Sequence, residues 1–194
     1  MTQAELFGAP ALARIDGLVY MEDFLDEEEE ARLLDVIESL TLREARYKAY
    51  TARRRIASYG TQYDFDDNRL LAAASLPVTL EPLRDKAAAW LGVRPERFRN
   101  VLVAEYAPGT PLGWHRDVPQ FEAIVGVSLR SGCRMRLRPW PPPQDARARR
   151  DQILTLELAP RSAYILSGPA RWAWQHSISP TPALRYSITF RTAR

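Results

Sequence analysis

His115 and Asp117 stand two positions apart in the stretch PLGWHRDVP, and His115 is one of only two histidines in 194 residues. If the stretch is extended, the two-residue period of a strand puts imidazole and carboxylate on one face and Trp114 and Arg116 on the other. One further imidazole would complete a 2-His-1-carboxylate facial triad, which holds Fe(II) by three positions and leaves the rest open. The remaining histidine is His176, in WAWQHSISP. A histidine taken singly is more commonly a hydrogen-bonded core or surface residue, so the residues after His176 carry weight. In ALRYSITFRTAR the same period places Arg185, Ser187, Thr189 and Arg191 on one face and Tyr186, Ile188 and Phe190 on the other. Two guanidinium groups on one side of a strand suit a small dianion such as a dicarboxylate, because buried guanidinium needs an acidic partner to offset its desolvation. Tyr106, on the segment before the first histidine, can add a phenolic hydrogen bond.

Several elements must bring these groups together. Between Asp26 and Leu40, the apolar residues Ala31, Leu33, Leu34, Ile37 and Leu40 form a helical stripe behind an Asp26 N-cap and a run of glutamates. A second helix is predicted from about Thr79 to Leu91, stopped by Gly92. After Pro95 the pattern changes to short apolar runs punctuated by Gly, Pro and Asp: RNVLVAEY, AIVGVSLR, CRMRLRPW, QILTLELA, SAYILSG, WAWQHSI and LRYSITFRT. Seven or so such strands predict two facing sheets rather than alternating βαβ units. Pro139 to Asp151 reads as a long exposed hairpin loop. The segment from Tyr47 to Asp66 has Arg53, Arg54 and Arg55 followed by Tyr59, Tyr63 and Phe65; it reads either as a nucleic-acid contact surface or as a pair of edge strands with a solvated arginine face.

The composition, 46% apolar and 26% charged, is that of a globular protein, and no apolar run approaches the roughly 20 residues that a membrane-spanning helix needs. The N-terminal stretch MTQAELFGAPALARIDG lacks the charge pattern of a secretory signal and reads as an arm. Cys133 is the only cysteine, which excludes a disulfide framework and fits a reducing compartment, so a cytoplasmic location is expected. A monomer is the simplest expectation. The formal net charge is +3, and Lys48 and Lys86 are the only lysines, so arginine supplies nearly all the positive charge.

The segments EYAPGTPLGWHRD, LSGPARWAWQHSI and ALRYSITFR resemble the AlkB family of Fe(II)- and 2-oxoglutarate-dependent dioxygenases, in which a tyrosine and a Pro-Gly turn precede the His-x-Asp pair and an R-x5-R signature follows the second histidine. The resemblance covers about 100–194, and RRRIASYG upstream is similar to part of the family's substrate lid. It implies that His115, Asp117 and His176 ligate Fe(II). It also implies that Arg185 with Tyr106 binds the distal carboxylate of 2-oxoglutarate, with Arg191 near the other end. The fold implied is α+β and mainly β: a double-stranded β-helix, or jelly roll, supported by N-terminal helices. The chain 1–194 would be a single dioxygenase domain, with helical support and lid over about 1–99 and the catalytic core over about 100–194. O2 would be the second co-substrate, and the implied reaction is oxidative demethylation of N-alkylated bases in DNA or RNA. For such a substrate Arg53, Arg54 and Arg55 are the candidates for phosphate contacts, and Tyr59 and Tyr63 for sandwiching a flipped base. Two other readings stay open: a dioxygenase of a protein side chain or small molecule, and a nucleic-acid-binding module with an inactive metal site. The chain departs from the family at Ala104 and Ser187, where several members carry asparagine, and at Pro119, near which base-reading members carry an acid.

Overall fold

A computed structural model describes residues 15–47, 50–64 and 69–194. The arm before residue 15, Lys48 and Phe65 lie outside the described residues. Helix α1, Glu27–Ser39, starts where predicted: the Asp26 carboxylate accepts the Glu29 amide at 2.7 Å and the Glu29 carboxylate accepts the Asp26 amide at 2.9 Å. Such a reciprocal cap contributes about 1 kcal/mol. Helix α2, Glu81–Leu91, follows a 3-10 turn at Val78–Leu80 and ends on Gly92, whose φ of 75° is the left-handed conformation that glycine adopts without steric cost. Lys86 of α2 reaches the Glu29 carboxylate of α1 at 2.6 Å, tying the two helices.

The strands form two main sheets and a third of two strands. The larger sheet contains β1 (Leu18–Met21), β2 (Arg43–Tyr47), β3 (Tyr50–Tyr59), β6 (Phe98–Tyr106), β8 (Phe121–Leu129), β11 (Ala163–Leu166) and β13 (Arg185–Ala193), in the order β1-β11-β8-β13-β6-β3-β2. The smaller sheet contains β7 (Leu112–His115), β9 (Cys133–Pro139), β10 (Leu154–Leu158) and β12 (Trp174–Ile178), in the order β10-β9-β12-β7. β4 (Thr61–Asp64) and β5 (Arg69–Ala72) form a third, two-stranded sheet, tied to β6 through Thr61, whose hydroxyl donates to the Arg99 carbonyl at 3.0 Å. The predicted two-sheet, mainly β architecture is therefore present.

Period two divides the larger sheet into two working faces. Val101, Val103, Val125, Val127, Tyr186, Ile188 and Phe190 point toward α1 and α2 and pack with Leu33, Ile37, Leu83 and Ala87. A second core fills one end of the space between the sheets, where Ile124, Tyr164 and Leu166 meet Met135, Leu137, Leu156 and Ile178. The other end stays open. β13, between β8 and β6, carries the arginines of the last motif into that open space.

Three local expectations are corrected. The Pro139–Asp151 segment is not a plain hairpin loop: it contains helix α3, Ala146–Asp151, because Asp145 caps the Ala148 amide at 2.7 Å. WAWQHSI is not one strand; a short helix α4, Gly168–Trp172, precedes β12. GWHRDV is not extended throughout, since β7 stops at His115. RRRIASYG lies in the larger sheet, where β3 pairs residue by residue with β6 from Arg55 to Tyr59.

Candidate active site

The sheets separate around a cleft of about 1940 Å³ that contains every residue of the sequence-derived metal and dicarboxylate sets: His115, Asp117, His176, Tyr106, Arg185 and Arg191. His115 and His176 come from neighbouring strands of the smaller sheet and are directly paired, with ring centroids 4.2 Å apart. A β-bulge makes this possible. Ile178 pairs with Leu112 and His176 with His115, so Gly113 and Trp114 together face Ser177 alone. The extra residue re-aims the strand and lets both Leu112 and His115 point inward. The Gly113 carbonyl lies 2.8 Å from His115 Nδ1, which leaves Nε2 directed to the cleft.

Asp117 lies beyond the strand and is held there by two arginines. Arg191 Nε donates to Asp117 Oδ2 at 3.1 Å while its Nη1 donates to Asn100 Oδ1 at 2.9 Å. Asp117 Oδ1 remains on the side of His115, 3.9 Å from Nε2. Arg171, buried on α4, uses Nη2 to bind the backbone carbonyls of Asp117, Val118 and Phe121 at 3.0, 2.7 and 2.9 Å, fastening the loop on which the carboxylate sits. The ligand atoms of His115, Asp117 and His176 all lie within 4.8 Å of one another.

Protonation favours the metal-binding forms. Burial pushes His176 from 6.5 down to about 3, with His115 adding to the effect, and burial likewise lowers His115 despite the opposing Asp117 charge. Burial by itself would raise the Asp117 pKa, but Arg191, then the imidazoles and Arg171, hold it well below the usual carboxylate range. Two neutral imidazoles and one carboxylate result, a donor set suited to Fe(II).

These depressed values have a measurable consequence in metal-free protein. The unfolded chain protonates its histidines below the ordinary 6.5, whereas folded His176 resists until about 3, so the unfolded state binds more protons between those values. Stability is therefore retained above 6.5 and lost as the pH falls toward 3, by about 1.4 kcal/mol per pH unit for His176 alone. Denaturant midpoints measured with a chelator at pH 7 and pH 5 check this; equal midpoints would contradict it.

The arginine of the opposite wall completes the site. Arg185 is 2% exposed and its Nε donates to Ser128 Oγ at 3.0 Å, yet Nη1 is buried without a hydrogen-bond partner. Its guanidinium carbon stands 5.1 Å from the centroid of the Tyr106 ring, the residue directly paired with it across β13 and β6. A buried cation with an orphaned donor carries a desolvation cost of several kcal/mol. A carboxylate in the cleft would offset it, so these residues fit the distal end of a dicarboxylate. Sequence reasoning missed Ser128, Asn100, Arg171 and Tyr164. Tyr164 enters the cleft because Gly126 across the pair has no side chain: a Cβ there would stand 2.3 Å from the Tyr164 ring.

The candidates for substrate contact divide. Arg53 and Tyr63 line the cleft, and Tyr63 is half-buried. Arg54 is buried and donates to the Tyr106 hydroxyl at 3.3 Å, so it belongs to the cleft interior rather than to an exposed phosphate contact. Arg55 is on the other face of β3, bound through Nε and Nη2 to the Glu105 carboxylate at 2.7 and 2.6 Å, and is not brought to the site. Tyr59 borders the cleft, but its ring packs in the helix-side core and burial raises its pKa.

The model of the 2OG-Fe(II) oxygenase superfamily matches residues 17–191. The chain belongs to that superfamily. Its relatives include AlkB homologues by name: it is 29% identical over 182 residues to an Arabidopsis thaliana protein named "Alkylated DNA repair protein ALKBH8 homolog", covering 84% of this chain and 51% of that one. It is 26% identical over 168 residues to the Xenopus tropicalis "tRNA (carboxymethyluridine(34)-5-O)-methyltransferase alkbh8", covering 84% of this chain and 25% of that one. The chain thus spans about half of the first relative's length and a quarter of the second's. Among solved structures, OsALKBH1 has the same fold, with a TM-score of 0.66 at 16% identity over 91% of this chain and 98% of that one. A Burkholderia pseudomallei oxidoreductase of the 2OG-Fe(II) oxygenase family gives 0.62 at 15% identity over 95% and 90%. As a 2OG-Fe(II) oxygenase the chain is a dioxygenase, and its family uses Fe(II), 2-oxoglutarate and O2. No helix among the described residues is long and apolar enough to cross a membrane.

Proposed function

We propose that this AlkB-type oxygenase demethylates N-alkylated bases in DNA or RNA, acting as a single dioxygenase domain. The observation carrying the reading is the opposition, across one cleft, of the His115–Asp117–His176 cluster and the buried, half-partnered Arg185. His115, Asp117 and His176 would hold Fe(II), and Arg185 with Tyr106 would hold the distal carboxylate of 2-oxoglutarate. Bound together with O2, this group supplies the oxidation that hydroxylates a substrate methyl. The protein supplies position and exclusion of water. Arg191 keeps Asp117 ionised and turned toward the imidazoles. Arg171 keeps the loop beneath it from shifting. Tyr164 and Tyr106 wall the interior, and Arg53 and Tyr63, which line the cleft, would meet a nucleotide that has left its stack. Hydroxylation of an N-methyl group yields an N-hydroxymethyl base, which breaks down to the free base and formaldehyde.

The likeness of the first relative, whose name speaks of alkylated DNA repair, supports a nucleic-acid substrate. The test is formaldehyde and succinate release from a panel of methylated DNA and RNA oligonucleotides. Matched formaldehyde and succinate from at least one of them is expected. Cys133→Ala is expected to retain turnover, since this buried thiol, its pKa raised by burial, is a packing residue of the inter-sheet core. Succinate without formaldehyde across the panel would replace demethylation with oxidation of another substrate.

A further inference from the structure

The strands that carry His115 and His176 inward carry a different set of residues outward. On β9, Arg136 and Arg138 alternate with the buried Met135 and Leu137, and they pair across the sheet with Ser177 and Gln175 of β12. Arg136 Nε donates to Ser177 Oγ at 3.2 Å and Arg138 Nε to Gln175 Oε1 at 2.9 Å. Both guanidinium groups lie over the Trp114 ring, 5.1 and 4.3 Å from its centroid. Beside them Arg116 lies 4.9 Å from the centroid of Trp140, whose indole is 41% exposed. All of the acceptors that orient these three arginines are neutral: a hydroxyl, an amide oxygen and, for Arg116, the Trp172 carbonyl. No carboxylate among the described residues pairs with any of them, although Arg134 and Arg147 nearby are paired, with Glu157 and Asp151.

We propose that this outward face of β9, β12 and β7 is a docking surface for the phosphodiester backbone of a nucleic acid. Arg136 and Arg138 commit Nε to the protein and Arg116 commits Nη1, and each planar group rests on an indole, so the three forks are oriented in advance; a guanidinium held in this way suits a phosphate. The clustered positive charges lack neutralisation within the protein, which an anionic chain would provide. The exposed Trp140 offers a stacking surface beside them. Trp114 and Arg116 also line the cleft, so the surface is continuous with the entrance of the candidate active site around the β7 edge. A strand whose target base occupies the cleft can therefore continue across this face. The inference rests on the nucleic-acid substrate proposed above.

The test compares the full chain with Arg136→Gln/Arg138→Gln and Arg136→Lys/Arg138→Lys. Anisotropy of a long, labelled, unmethylated single strand is read against salt, and formaldehyde release is read from a methylated trinucleotide too short to cover the outer face. The glutamine pair is expected to weaken long-strand binding about tenfold or more and to lower the slope of log affinity against log salt by about 1.4, the loss of two phosphate contacts. Trinucleotide turnover should not change, and the lysine pair, which keeps both charges but not the planar fork, should keep the wild-type salt slope while losing part of the affinity. Unchanged long-strand affinity and slope in the glutamine pair would overturn the docking surface while leaving demethylation intact. Loss of salt-dependent binding in that pair, with no formaldehyde from any substrate even in the wild type, would sink demethylation and uphold the surface. A lysine pair whose salt slope falls to that of the glutamine pair would overturn the inference, as would binding to anionic vesicles with none to the oligonucleotide.

Discussion

Arg185→Met protein is expected to bind 2-oxoglutarate at least about a hundredfold more weakly than the wild type, without loss of metal-free stability. The two halves follow from one observation: Arg185 is 2% exposed, its Nη1 has no hydrogen-bond partner, and no carboxylate pairs with it among the described residues. Removing one member of a buried charge pair costs about 3–5 kcal/mol, which is two to three and a half decades of affinity. Without the dicarboxylate, however, the same guanidinium is a buried cation offset only by the Ser128 hydroxyl and the Tyr106 ring, and an apolar chain of similar length removes its desolvation cost. Thermal melts with and without 2-oxoglutarate, in the presence of a redox-inactive divalent ion, separate the effects. The wild type should gain about 2.7 kcal/mol at a hundredfold excess over its Kd, and the variant almost nothing at the same concentration. An equal ligand-induced shift in the two proteins would remove Arg185 from the co-substrate site.

The second large effect is at the metal. His176→Ala and His115→Ala are each expected to lower 2-oxoglutarate turnover by more than about a hundredfold, because loss of an outer hydrogen-bonding partner alone commonly costs 10–100-fold in metal affinity or activity. Divalent-ion binding followed by calorimetry should fall with it. His176 lies between Met135, Leu137 and Ile178 on the inner face of the smaller sheet, so its truncation also leaves a small void, whereas the more exposed His115 reports on the metal with less disturbance. Normal formaldehyde yield from His115→Ala would overturn the ligand assignment.

Much of this site was legible in residue order. The Asp26 cap, the glutamate-rich first turn and the stripe through Leu33 and Ile37 define α1 because a helix is written in contacts between near neighbours. The alternation from Arg185 to Arg191 is equally local: it sorts arginines from Tyr186, Ile188 and Phe190 without knowledge of what lies on either side. The types and order of His115, Asp117, His176, Arg185 and Arg191 carried the family resemblance for the same reason.

What residue order could not decide was partnership. The triple arginine 53–55 looks uniform in sequence, yet one member is exposed on the cleft, one is buried beside Tyr106 and one is locked to Glu105, because the β2–β3 register shifts between Thr51 and Arg55 and from Arg55 onward β3 pairs with β6 about 50 residues away. The bulge opposite Ser177 that turns His115 inward, and the fastening of the Asp117 loop by Arg171 from α4, likewise depend on strands and helices that meet only after the chain closes. By itself the sequence determined which chemical groups the protein has and the local period on which they lie, since both depend on short-range covalent geometry. Tertiary structure alone decided which charges are neutralised and which are left waiting in the cleft or on the outer face, because that depends on what distant segments bring within hydrogen-bond reach.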